Sequence, residues 1–289
     1  MTTVERFVDV DGARIFAQGQ ALHGTESAVL IAGAAMQATA WDDRFIAALT
    51  DRGIAVICFD WRDIGLSTWQ SFKEHPYSVE TLADDVVQVA RAFDRIPVHL
   101  VGFSMGGCIA QLVTLRSPRS VRSLSLLSSG YASIIDADRG ERGRELFRLF
   151  ALPRPTNNDE HVDRLVEQWR LLRGPGVDFD QVAWTQQARD WVARGQNPSC
   201  PHLRLGPQVF GVDRTTDLAR ITIPTLVLHG TDDPMFPSAH GEAIARAIPA
   251  ADLELFTGRG HDLHLDPNIA RRVADHILQT ANSDQSLTE

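Results

Sequence analysis

Short apolar runs rich in β-branched residues recur along the chain at 29–31, 56–59, 98–101, 124–127, 225–228 and 253–256. Runs of this length bounded by turn residues predict strands, and most of these read as buried. Between them the apolar positions switch to helical spacing. Leu82, Val86, Val89 and Phe93 follow Ser78, a residue suited to cap a helix, and Ile269, Val273 and Ile277 repeat the pattern near the end. Strands alternating with helices predict a parallel sheet covered on both faces, because each crossover helix must bury its apolar stripe on the sheet. The start differs: segments 6–10 and 14–17 flank Asp11-Gly12, a turn signal that predicts an antiparallel hairpin.

The rhythm breaks between Tyr131 and Thr215, where helical pieces occur without a clear strand. This stretch holds Pro153, Pro155, Pro175, Pro198, Pro201 and Pro207 together with Trp169, Trp184 and Trp191, a mixture suited to short helices folded over a site. The expected organisation is a core of residues 1–130 and 216–289 with a helical cap at 131–215; a merely structural helical insertion is the alternative. At 289 residues the chain suits one α/β domain carrying such an insertion. No internal repeat is visible, and residues 282–289 are polar enough to fray.

Composition narrows the partners rather than the chemistry. With 44% hydrophobic and 22% charged residues the chain is ordinary for a globular protein, and its formal net charge of −9 disfavours nucleic acid and anionic lipid surfaces. Cys58, Cys108 and Cys200 are an odd number at unrelated spacings, which suggests neither a disulfide framework nor a metal motif. The first ten residues carry charges where a signal peptide needs an apolar core, and no apolar run is long enough to span a bilayer. A cytoplasmic enzyme acting on a small molecule is therefore expected, with no membrane or nucleic-acid partner; homo-oligomerisation is left open.

The candidate chemistry sits where the strands end. Residues 98–101 run into Gly102-Phe-Ser-Met-Gly106, followed by a buried helical stretch through Leu115. This is G-x-S-x-G between a strand and a helix: a sharp turn holds Ser104 at the sheet edge, small glycines avoid a clash there, and the helix N-terminus offers free N–H groups to a developing oxyanion. Cys108 is a weaker rival, one turn inside the helix. The acid and base of such a site follow the nucleophile in the chain. Asp233, fixed by the Asp-Pro step, is the better acid, with Asp232 the alternative by one residue; the strand after the nucleophile helix offers no carboxylate until Asp136. His261, in Thr257-Gly-Arg-Gly-His261, is the candidate base, since a free imidazole titrating near ~6.5 can take a serine proton at neutral pH. His264 is its main competitor, and His261 and His264 with the two aspartates make only a weak metal pattern, so neither a metal nor a cofactor is expected. The small-residue turn Ala32-Gly-Ala-Ala-Met36 suits an oxyanion site, with the amides of Ala34 and Met105 as donors.

These residues resemble the α/β-hydrolase fold family along nearly the whole chain, and the aclacinomycin methylesterase group of serine esterases in particular. The likeness is carried by Asp60-Trp-Arg-Asp-Ile-Gly-Leu-Ser-Thr68, Gly102-Phe-Ser-Met-Gly106, Trp169-Arg-Leu-Leu-Arg-Gly-Pro-Gly-Val177, Asp233-Pro-Met-Phe-Pro237 and Gly258-Arg-Gly-His261. The resemblance implies a Ser104, Asp233 and His261 triad with Ala34 and Met105 as oxyanion donors. Wider members usually carry His-Gly before the oxyanion turn, whereas this chain has Ala32-Gly33, which removes a side-chain support but no backbone donor. The expected reaction is hydrolysis of a carboxylic ester of a small alcohol, with a medium-sized apolar or aromatic acyl part. Hydrolysis of a C–C bond, or cofactor-free perhydrolase and haloperoxidase chemistry, is the alternative on the same residues.

Overall fold

The computed structural model describes residues 3–20, 26–130, 139–205 and 215–286. Tyr131 and Asp136, at the near edge of the expected insertion, and Pro207, towards its far edge, lie outside them.

Eight strands form one sheet: β1 (Thr3–Val10), β2 (Ala13–Gln20), β3 (Ser27–Ile31), β4 (Ala55–Phe59), β5 (Val98–Phe103), β6 (Val121–Leu127), β7 (Thr225–Gly230) and β8 (Ala251–Phe256). Their order is β1-β2-β4-β3-β5-β6-β7-β8. The first pair is the expected hairpin, with Gly12 at φ +70° in its turn. From β4 onward every pairing is parallel. Strands β3 to β7 are buried along almost their whole length, as continuous apolar runs in a doubly covered parallel sheet must be. Strand β8 departs from that expectation. It is the sheet edge, and Leu253 and Leu255 stand 38% and 39% exposed on a face that no neighbour covers fully.

Helices α1 (Asp43–Thr50), α2 (Val79–Ala92) and α3 (Met105–Arg116) cross between the early strands. Ser78 caps α2 as its position suggested, in a reciprocal capping box with Thr81, and Leu82, Val86 and Val89 form its buried stripe. Helix α3 is buried nearly all round, so it shows little amphipathic signal. Three long helices, α4 (Gly140–Ala151), α5 (Asn158–Leu172) and α6 (Gln181–Arg194), lie between β6 and β7 with a single helical turn at Thr215–Leu218, and no strand occurs there among the described residues. Helices α7 (Ala239–Ala247) and α8 (Pro267–Ser286) complete the second half. Ile269, Val273 and Ile277 are buried on α8, which continues past the point where the polar tail was expected to fray: Asn282 and Ser283 are helical, and the Ser283 hydroxyl donates to Gln279 C=O one turn back. No helix among the described residues is long and apolar enough to cross a membrane.

Two apolar clusters sandwich the sheet. One packs α2 and α3 against residues such as Val29, Ile57 and Leu100, and the other packs α1 and α8 against Leu30, Val101 and Leu228. The second cluster extends without a break into the insertion through Trp169, Leu172, Trp184 and Trp191.

Candidate active site

The turn from β5 to α3 is built by close backbone approach. A Cβ on Gly106 would lie 2.1 Å from Ile31 C=O, and one on Gly102 would lie 2.5 Å from Gly107 Cα. Glycine is therefore required on both sides of Ser104, which itself takes φ +55°, ψ −125°. A serine held there sits in a region that L-residues rarely occupy, a strain the packing around it sustains. The Ser129 hydroxyl, at the end of β6, donates to Ser104 C=O at 3.1 Å and fixes the turn from below.

Three side chains anticipated from the sequence come together in this order. Ser104 Oγ lies 2.9 Å from His261 Nε2, and His261 Nδ1 lies 2.7 Å from Asp233 Oδ2. The carboxylate only accepts, so Nδ1 carries the proton and Nε2 presents its lone pair to the serine O–H. Asp233 Oδ1 accepts the N–H groups of Met235 and Phe236, both at 2.8 Å. Burial alone would push this carboxyl up. The attraction and hydrogen bond of His261, with His229 and the Phe236 N–H, outweigh it and hold Asp233 below the ordinary carboxylate range.

The rejected neighbours have different surroundings. Asp232 is exposed, and its Oδ2 accepts from Thr231 Oγ1 and Gly258 N–H, away from the imidazole. His264 is stacked on Phe103 with ring centroids 3.9 Å apart, and neither ring nitrogen has a partner among the described residues. Burial holds its pKa well below the ordinary histidine value. Cys108 packs its sulfur near Ser129 Oγ and Gly130 C=O. Among the described residues no three His, Cys, Asp or Glu side chains gather in an arrangement that would hold a metal ion.

The amides of Ala34 and Met105, expected from the sequence as oxyanion donors, have no acceptor among the described residues. Met105 opens α3, where the first N–H groups point out of the helix, and Ala34 and Ser104 both line a cavity of about 100 Å³. The cavity wall is mostly apolar, including Phe103, Phe150, Leu165, Trp169, Leu172 and Met235. Of the aromatic residues in the insertion, Phe150, Trp169 and Trp191 reach it. Phe179 and Trp184 stack behind Trp169, and Phe147 is exposed.

The insertion also touches the machinery through its backbone. His261 N–H donates to Leu172 C=O at 2.7 Å, and Gly176 N–H donates to Gly258 C=O at 2.9 Å. A Cβ on Gly174 would fall 2.2 Å from Gly258 C=O, so the two loops meet main chain to main chain. Sequence reasoning missed this docking, and it missed Gln37, Gln168 and Gln196 in the cavity wall. Glycines at 174, 176, 258 and 260 were the only available signal.

A mostly parallel sheet of this order, with a serine on the turn after its central strand and a histidine and carboxylate delivered from the last two strand ends, defines the α/β-fold hydrolases. The chain belongs to the alpha/beta hydrolase family, whose model matches residues 28–272. It is similar to the rhodomycin D methylesterase DauP of a Streptomyces species, at 32% identity over 90% of this chain and 93% of that protein. It is also similar to a non-heme chloroperoxidase of Kitasatospora aureofaciens, at 29% identity over 88% of this chain and 91% of that one. Among solved structures, an esterase from Exiguobacterium antarcticum superposes with a TM-score of 0.75 at 20% identity, covering 95% of this chain and 99% of the other.

Proposed function

We propose that the protein is a serine esterase that cleaves a carboxylic ester of a small alcohol. The observation that carries the reading is the continuous hydrogen-bonded chain from Ser104 through His261 to Asp233, opening on a small apolar cavity. Ser104 Oγ attacks the ester carbonyl while its proton passes to His261 Nε2, and Asp233 stabilises the imidazolium that forms. The carbonyl oxygen becomes an oxyanion accepting from the Ala34 and Met105 amides. Collapse expels the alcohol, which takes the proton from His261, and water then releases the acid from Ser104 by the same steps in reverse.

The wall of the cavity supports an apolar or aromatic acyl group, and its volume suits a small alkoxy group beside the reacting carbonyl. The likeness to a methylesterase supports the same choice. The likeness to a chloroperoxidase keeps peracid formation from acetate and peroxide as the second reading on the same three residues. The test is a panel of methyl, short-chain and long-chain esters, bulky aromatic methyl esters included, run beside a vinylogous diketone and acetate with peroxide. Methyl esters are expected to give the highest kcat/KM, with Ser104→Ala lowering it by about 10⁴-fold or more. Turnover of the diketone or peroxide alone, with every ester untouched, overturns the reading.

A further inference from the structure

We propose that two side chains of the insertion, His202 and Gln196, are positioning residues for the oxyanion turn, holding Ala35 so that the preceding Ala34 amide stays directed at the carbonyl oxygen of the acyl group on Ser104. The inference rests on the esterase reading of the site.

Residues Gly33 to Met36 form a tight turn closed by Met36 N–H donating to Gly33 C=O at 3.3 Å. Its third residue, Ala35, has φ +57°. A turn with positive φ at this position normally carries glycine or asparagine, because a Cβ there is strained. Alanine holds the conformation here because both of its backbone polar groups are taken by side chains more than 160 residues away in sequence. Ala35 N–H donates to His202 Nδ1 at 3.1 Å. Ala35 C=O accepts from Gln196 Nε2. The two bonds together fix the planes of both peptides of Ala35, and with them the turn that carries Ala34.

The supports are themselves constrained. His202 is almost wholly buried, edge-on to Trp61 and Tyr77. Burial lowers its pKa to about 3, so the ring stays neutral and Nδ1 keeps the lone pair that Ala35 needs. Gln196 Oε1 accepts from Gln37 Nε2 at 3.1 Å, which leaves its amide nitrogen facing Ala35. One turn further, Ala38 N–H donates to Asp60 Oδ1 at 2.7 Å, and Arg194 from the insertion bonds both Asp60 and Gln37. Trp61 Nε1 donates to Ala32 C=O at 3.1 Å and holds the turn's entry. Ala32 has no side chain that could brace the turn; the bracing comes from Asp60 and Trp61 of the core together with Arg194, Gln196 and His202 of the insertion.

The test measures the second-order rate at which a fluorophosphonate labels Ser104, followed by intact mass, alongside kcat and KM on a methyl ester. Labelling forms a P–O bond, expels fluoride and passes the serine proton to His261; the phosphoryl oxygen occupies the oxyanion site. His202→Ala and Gln196→Ala are expected to slow labelling and lower kcat at least tenfold each, with KM changed less than threefold. Replacing Ala35 by glycine in the His202→Ala background is expected to restore a large part of the loss, because glycine adopts positive φ without help. Gln196 is only half-buried, so its variant reports even if His202→Ala folds poorly. Folded variants that label at the wild-type rate, a loss confined to KM, or no rescue by glycine overturn the proposal. A wild type that is never labelled at Ser104 overturns the reading of the site instead, which keeps the two failures apart.

Discussion

At the scale of single residues, the pair Asp232 and Asp233 shows what decides a role. Both are carboxylates on one loop, yet only Asp233 is buried, with one oxygen on two backbone N–H groups and the other on the imidazole. Replacing it by asparagine keeps the shape and removes the charge that stabilises the imidazolium. Asp233→Asn is expected to lower kcat by about 10³–10⁴-fold in a folded protein, while Asp232→Asn changes it little. Ester hydrolysis rates with a thermal melt on each variant check this, and a reversed ranking would move the acid by one residue. In the sequence the two aspartates differ locally only by the Asp-Pro step; the family resemblance pointed to the same residue. It could not indicate His202 or Gln196, because a polar side chain reaching across more than 160 residues to a backbone group leaves no local pattern.

At the scale of elements, the turn between β5 and α3 was legible because its constraint is local: strand, glycine, serine, glycine, helix. Ala replacing Gly106 would press its Cβ against the carbonyls of Ile31 and Ala32, backbone atoms of the neighbouring strand that have no room to yield. Gly106→Ala is expected to cost about 3 kcal/mol or more of stability, read by urea unfolding. A change below about 1 kcal/mol would mean that α3 does not approach β3 so closely. The six parallel strands were visible as apolar runs, since a sheet covered on both faces leaves no polar alternation. The exposed face of β8 was not visible, because Leu253-Glu-Leu-Phe256 reads the same on an edge strand as in the middle of a sheet. Nor did the helical insertion reveal how it docks: glycines at 174 and 260 matter through their partners, which the chain order does not announce.

At the scale of the whole molecule, the histidines set an acid limit. Burial lowers His202 to about 3 and His240 to about 4, and holds His264 well below its ordinary value. The folded protein keeps these rings neutral while the unfolded chain protonates them from about pH 6.5 downward. Their contribution is therefore complete above that pH and is lost as pH falls toward the folded values. Asp262 acts in the other direction: burial raises its pKa by more than the attraction of Arg259 and Arg173 lowers it, so acidification relieves it. With several histidines against two such carboxyls, since burial raises Asp85 as well, Tm is expected to fall steadily between about pH 6.5 and pH 4. His264→Phe should raise stability by about 1–3 kcal/mol at neutral pH, because it removes a buried polar ring with no partner, and should flatten the slope. Melting curves across that range check both, and an unchanged slope would place His264 in water rather than against Phe103.

The docking of the insertion on the His261 loop has a consequence for recombination between relatives. Ser104 and Asp233 are carried by the sheet, but the backbone of His261 is tied to Leu172 and the turn that carries Ala34 and Ala35 to His202 and Gln196. The segment 139–205 is thus no exchangeable specificity cassette. A chimaera that imports another hydrolase's helices to change substrate preference must carry these contacts across the seam as well, or it inherits a pocket whose chemistry has been left behind.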